Sequence, residues 1–228
     1  MIYIIGDSHV SVFSGTDVKD DGQRHIQPEF GTQYTIRKGQ ITPMNKFEQR
    51  IPYFNPIKIG SNTAYGSYGK LPIIEQVIDE YDINGSDYVF TCFGEIDISH
   101  HIGFQADKAG MLISDAIKIC VDQYMKTVLY LKDAGINVGV YAPMAQSGHR
   151  NGIYRDMVFR NKMTIEFNEY LAQKCNENDI PIVDISKQML LPDGTTDSKW
   201  FMDGHHLAQT AMPLLIDGFR RVIKEMQE

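Results

Sequence analysis

A hydroxyl, an imidazole and a carboxylate are enough to cleave an ester through a covalent intermediate, and this 228-residue chain carries all three near its two ends. Ser8 follows Gly6 and Asp7, directly after the apolar run Ile2-Tyr3-Ile4-Ile5. Near the other end the chain reads Met202-Asp203-Gly204-His205-His206-Leu207. An Asp and a His three residues apart on one turn can lie side by side. The carboxylate then orients the ring and stabilises its cation, and the other ring nitrogen can take a proton from a serine. Taken alone, Gly-Asp-Ser is more often a plain turn. Its meaning depends on the Asp-x-x-His segment almost two hundred residues away.

The two segments together, a Gly6-Asp7-Ser8 turn after the first strand and Asp203-x-x-His206 before a last helix, resemble the SGNH (GDSL) hydrolases. Members include esterases, lipases, carbohydrate acetylesterases and some acyltransferases. The resemblance runs along the whole chain in order and rests on a handful of residues. It implies Ser8 as nucleophile, His206 as general base and Asp203 as its orienting carboxylate. It also implies Gly60 as the glycine of the second block, whose backbone N–H joins that of Ser8 in binding an oxyanion. A residue without a Cβ lets a substrate approach the backbone there.

One block departs from the pattern. Gly94-Glu95-Ile96-Asp97 occupies the place of Gly-x-Asn-Asp. Gly94 and Asp97 match, and some members of the superfamily carry this Gly-Glu-Ile-Asp version. The asparagine slot, however, holds Ile96, whose side chain cannot donate to an oxyanion. Loss of one such donor costs about 100- to 1,000-fold in rate in another serine hydrolase. Asn62, His100 and His101 are candidates to replace it.

Other residues near the expected site have two readings each. Glu95 and Asp97 are close enough to serve as acid and base. The plainer reading is that Asp97 ties down the loop by accepting backbone N–H bonds, while Glu95 pairs with a cation or binds a substrate hydroxyl. His100 and His101 lack a clear third ligand, so surface or capping roles fit better than metal binding, and no metal or cofactor is expected. His205 is the rival of His206 but lacks the Asp-x-x-His spacing. Asp7 is expected to fix the turn. Trp200, the only tryptophan, either lines the pocket or plugs the core. His149 and Arg150 either border the cleft, where they would contact an anionic or sugar substrate, or lie on a solvated loop.

The elements that must position these groups follow from periodicity. Short apolar runs at 2–5, 57–59, 87–93, 136–141 and 180–185 read as five buried strands. Helical stripes fall at 72–81, 105–134, 156–176 and from 210 onward, with Pro213 in the first turn of the last. This alternation predicts an α/β fold: a three-layer αβα sandwich around a five-stranded parallel sheet, of the flavodoxin-like SGNH type. In such sheets sites lie at the carboxyl ends of the strands, where Ser8 would be. One domain over 1–228 is expected, with an irregular insertion at about 14–56 that contains a small hairpin. The insertion is expected to cover part of the site or make a subunit contact, which leaves a homo-oligomer open.

Composition narrows the class. The 22 basic and 29 acidic residues give a net charge of −7, which argues against nucleic-acid partners. No run of apolar residues is long enough to span a membrane, and no signal-peptide pattern opens the chain. The three cysteines, Cys92, Cys120 and Cys175, read as buried thiols of a cytoplasmic protein. The activity that the resemblance implies is serine-esterase hydrolysis of a small acyl ester, and the polar, Asn- and His-bearing loops suit O-acetyl groups on a carbohydrate better than a long lipid chain. An O-acyltransferase with the same triad and a non-catalytic carbohydrate binder on the same scaffold are the alternatives.

Overall fold

The computed structural model describes residues 1–14, 33–37, 40–45, 54–147 and 156–223. Most of the 14–56 insertion, together with His149 and Arg150, lies outside the described residues. Seven strands form one sheet: β1 Ile2–Gly6, β2 Gln33–Arg37, β3 Gln40–Asn45, β4 Phe54–Lys58, β5 Tyr88–Cys92, β6 Asn137–Tyr141 and β7 Ile182–Val183. Their spatial order is β3-β2-β4-β1-β5-β6-β7. The five strands β4-β1-β5-β6-β7 are mutually parallel, and β2 and β3 add an antiparallel hairpin beyond β4.

β1 is central because it can bury both faces. Alternate side chains point to opposite sides of a strand. Tyr3 and Ile5 enter a core shared with helices α1 (Leu71–Glu80), α3 (Ile113–Asp133) and α4 (Met157–Glu177). Ile2 and Ile4 enter a second core shared with a 3₁₀ helix, Ser8–Ser14, and with α6 (Met212–Val222). Helices α1, α3, α4 and α6 flank the sheet, where each buries its apolar residues. Two shorter helices, α2 (Ile102–Ala109) and α5 (Ser186–Met189), complete the set. No helix among the described residues is long and apolar enough to cross a membrane. All three cysteines are buried and free.

Three expected boundaries are corrected. The helix expected over 105–134 is two helices, because Gly110 takes a left-handed conformation (φ 62°) and closes α2 through amide bonds back to Ala106 and Asp107. Leu112 then re-enters extended before α3. This is a glycine stop that the apolar stripe masks in the sequence. The strand expected at 57–59 starts earlier, at Phe54, and runs through Pro56. Ile59 bonds to Gly6 of β1, so by alternation Pro56 turns its missing N–H toward β2, where β4 pairs only at Lys58. The strand expected over 180–185 shortens to two residues, although Val140 and Ala142 still donate to Pro181 and Val183.

Gly6 marks a point of close approach. A Cβ there would lie 2.2 Å from the Cys92 carbonyl oxygen, on the neighbouring strand. Gly6→Ala must therefore push β1 from β5, at a cost of about 2–3 kcal/mol. The melting temperature is expected to fall by about 4–12 °C, read by calorimetry; an unchanged melt would refute the clash.

Candidate active site

The turn after β1 presents Ser8. Asp7 donates its amide to Cys92 O at 3.3 Å, and its carbonyl accepts from Val10 N at 3.4 Å, so the chain bends straight from strand into 3₁₀ helix. Val10, Val12 and Phe13 are buried and anchor that helix in the core. Ser8 is left half-buried at the sheet's carboxyl edge.

The second component is a turn before α6. Asp203 Oδ1 accepts the backbone amides of His205 at 2.9 Å and His206 at 2.8 Å. Gly204 adopts φ 86°, a conformation open to glycine without strain, and its carbonyl accepts from Ser147 N. The carboxylate thus folds its own turn and still keeps Oδ2 for His206 Nδ1, at 2.6 Å. On the far side of that ring, Nε2 lies 2.8 Å from Ser8 Oγ. Hydroxyl, imidazole and carboxylate stand in one hydrogen-bonded line drawn from positions 198 residues apart. Because a carboxylate only accepts, Nδ1 carries the proton and Nε2 is free to receive one from Ser8. Burial alone would raise the Asp203 carboxyl. The bond and charge of His206 and the two amides override it and hold the group well below the usual carboxylate range.

Around this line the expected residues fall as follows. Gly60 has φ 96°, and nothing lies within 4 Å of where its Cβ would be. The positive φ favours glycine there, and no protein atom occupies the space beside its backbone. Neither the Ser8 nor the Gly60 amide donates to an acceptor among the described residues. Asn62 is only 7% exposed, yet its Nδ2 has no hydrogen-bond partner among the described residues. Gly94 (φ 120°) packs so tightly that a Cβ would meet Pro143 Cγ at 2.6 Å.

Asp97 is buried and accepts from Ala64 N at 2.6 Å, from Tyr65 N at 3.3 Å and from the Cys120 thiol at 3.3 Å. It therefore tethers the loop that carries Gly60 and Asn62. Burial raises its carboxyl, and the two amides pull the other way. Burial also pushes the Cys120 thiol far up, which leaves it a weak nucleophile. His100 and His101 are exposed on a wide turn, their rings 6.5 Å apart edge to face. Among the described residues no group of three His, Cys, Asp or Glu is placed to hold a metal ion. Trp200 packs against the α6-side core, with Lys199 Nζ 4.7 Å above its ring. His205 reaches the line through its amide, while the ring on Ser8 is that of His206. A cleft of about 420 Å³ opens among Thr63, Tyr65, Asp97, Met111 and Ile119, and neither Ser8 nor His206 lines it.

Sequence reasoning named Asp7 and Glu95 but passed over the buried polar partners behind them, His9, Gln146 and Arg160. Asp7 Oδ1 accepts from the His9 amide and pairs with His9 Nδ1, both at 2.9 Å. Glu95 accepts from Gln146 Nε2, and Gln146 Oε1 accepts from Arg160 at 3.1 Å. Arg160 is only 2% exposed. The available signal was on α4, where Arg160, Thr164 and Asn168 form a polar stripe at four-residue spacing beside the apolar one, and all three are buried.

The sequence matches no family model and no curated protein. The fold does match solved structures. It is similar to the acetylxylan esterase of Geobacillus stearothermophilus, at 15% identity over 96% of this chain and 92% of that one, with a TM-score of 0.53. It is similar to a GDSL-like lipase of Bacteroides thetaiotaomicron, at 15% identity over 99% and 87%, with a TM-score of 0.57. A Bacteroides fragilis protein classed as an acylhydrolase matches at 16% identity over 100% and 88%, with a TM-score of 0.61. These likenesses show a shared fold, that of the SGNH hydrolases.

Proposed function

We propose that the protein is a serine esterase acting on small acyl esters. The observation that carries the reading is the line Ser8 Oγ, His206 Nε2, His206 Nδ1, Asp203 Oδ2, with both links at hydrogen-bond distance. Ser8 Oγ attacks the ester carbonyl while its proton passes to His206 Nε2. The imidazolium, held by Asp203, returns that proton to the leaving alcohol, and an acyl-Ser8 remains. Water then repeats the sequence and releases the acid. The negative oxygen of each tetrahedral intermediate is met by the Ser8 and Gly60 amides and by Asn62 Nδ2.

Asn62 takes over the work of the asparagine missing at Ile96. A buried amide without a partner costs about 1–3 kcal/mol, so its retention on the loop after Gly60 favours a donor role. Asn62→Ala is expected to lower kcat by about 100- to 1,000-fold with little change in KM. Equal turnover by the variant would remove Asn62 from the oxyanion site.

For the substrate class we infer an O-acetyl group on a carbohydrate, a reading favoured by the likeness to an acetylxylan esterase and by the polar, Asn- and His-bearing loops of the sequence. Purified protein should cleave acetyl and propionyl nitrophenyl esters and deacetylate acetylated sugars. Preference for long-chain esters would reject this assignment. A fluorophosphonate should label Ser8, and absence of label on folded protein would favour a non-catalytic binder. Product analysis with a sugar acceptor present separates hydrolysis from acyl transfer.

A further inference from the structure

His206 sits on a turn, with its side chain 14% exposed. Its two hydrogen bonds, to Asp203 and Ser8, both lie at the ring's edge. Edge bonds fix where the two nitrogens are, but they resist tilting about the line that joins them only weakly. A contact on the ring's face supplies the missing restraint, and that contact is His9. The two ring centroids are 5.0 Å apart, with planes 29° from parallel.

We propose that His9 is a positioning residue, the fixed plate against which the His206 imidazole stacks so that Nε2 stays aimed at Ser8. This inference rests on the reading of Ser8 and His206 as nucleophile and base.

The plate itself is held from three sides. Its backbone belongs to the 3₁₀ helix that begins with Ser8, so plate and nucleophile move as one piece. Asp7 Oδ1 grips both the amide and Nδ1 of His9 at 2.9 Å. On the opposite edge, Nε2 lies 3.8 Å from Glu95 Oε2. Glu95 in turn is fixed by Gln146, whose amide donates to Asn161 Oδ1 at 2.9 Å and whose side chain accepts from the buried Arg160. A chain of buried polar groups therefore runs from α4 to the face of His206, and every link in it is named by a contact. Its cost in desolvation is hard to explain for a surface turn and natural for a support under a reacting ring. It also assigns a use to Glu95 and to the buried Arg160 of α4, neither of which has a hydrogen bond to Ser8, His206 or Asp203 among the contacts above.

The test separates the ring's face from its polar edge. His9→Ala removes the plate, and His9→Phe keeps a flat ring while losing the carboxylate contacts. With a short acyl nitrophenyl ester, His9→Ala is expected to lose at least tenfold in kcat with KM within twofold, because misplacement by about 1 Å can cost 100-fold. His9→Phe, which keeps the flat face but loses the Asp7 and Glu95 holds on the ring, should fall between the parent and His9→Ala. A smaller loss in His9→Ala, or a His9→Phe no better than His9→Ala, overturns the proposal. A second measurement needs neither turnover nor a folded variant. In the unmodified protein, ¹H–¹⁵N NMR should give one sharp downfield Nδ1–H signal for His206 and cross-ring NOEs between His9 and His206. Two His206 ring populations, or no NOE, would also overturn it. If the parent hydrolyses no ester, the reading of Ser8 fails, and the NMR result still decides whether His9 orders the ring.

Discussion

Ser8→Ala is expected to lower ester turnover by at least about 10⁴-fold while leaving the melting temperature nearly unchanged. The hydroxyl is the group lost, and among the described residues its side-chain partner is His206. Without it there is no acyl-enzyme, and His206 can at best deprotonate a water in the space left behind. Residual catalysis from oxyanion donors and substrate binding keeps the rate above that in water, so the loss is large but finite. The measurement is kcat/KM on an acetyl nitrophenyl ester, together with fluorophosphonate labelling of parent and variant. A Ser8→Ala protein that keeps more than about 1% of the activity, or is still labelled, would place the chemistry elsewhere. His206→Ala should lose a similar factor, and the double variant little more, because residues that act as one unit are not additive.

Asp203→Asn is expected to cost about 10⁴-fold in kcat, the size found when the triad carboxylate of another serine hydrolase becomes an amide. The amide oxygen can still accept the His205 and His206 backbone amides, so the turn survives. Two things are lost. The negative charge that stabilises the imidazolium disappears. The amide nitrogen can also donate to Nδ1, which moves the ring proton to Nε2 and removes the lone pair facing Ser8. Activity that is unchanged in Asp203→Asn would reduce Asp203 to a turn-forming residue.

The same substitution has a readout in stability. The Asp203 carboxyl is held below its ordinary range in the folded chain, so its contribution is fully present above the unfolded value of about 3.9. That contribution is lost as pH falls through the lower folded value, where the folded state must take up the proton. The parent should therefore lose more stability than Asp203→Asn on going from pH 5 toward pH 2. Parallel acid-denaturation curves would contradict the assigned shift.

Much of the frame was legible in the chain because it follows from local pattern. Runs such as Ile2 to Ile5 and Tyr88 to Cys92 are buried on both faces, and continuous apolarity is how a central parallel strand reads. Asp156 caps α4 by accepting from Phe159 N at 2.7 Å, and the helix begins where that residue type predicts. Local pattern misleads where one residue outweighs its neighbours. Gly110 ends α2 inside an unbroken apolar stripe, and Pro56 sits within β4 because the adjoining hairpin leaves its nitrogen unneeded.

The candidate site divides in the same way. Residue type and spacing made Ser8, Asp203 and His206 candidates, the resemblance carried by the two segments implied their roles, and the Asp-x-x-His turn was legible because a carboxylate three residues before an imidazole is a local device. Asp203 folds that turn with its own Oδ1. Tertiary structure alone decided that the device meets Ser8 at 2.8 Å, that Asn62 keeps a buried amide unspent, and that His9 lies flat against His206. It also brought Glu95, Gln146 and Arg160 into one buried chain from three separate segments. The reason is physical. Strand and helix propensities and turn chemistry act over a few neighbouring residues, whereas a stack, an orphaned donor or a buried ion pair exists only after the sheet order β4-β1-β5-β6 has brought distant loops to one edge.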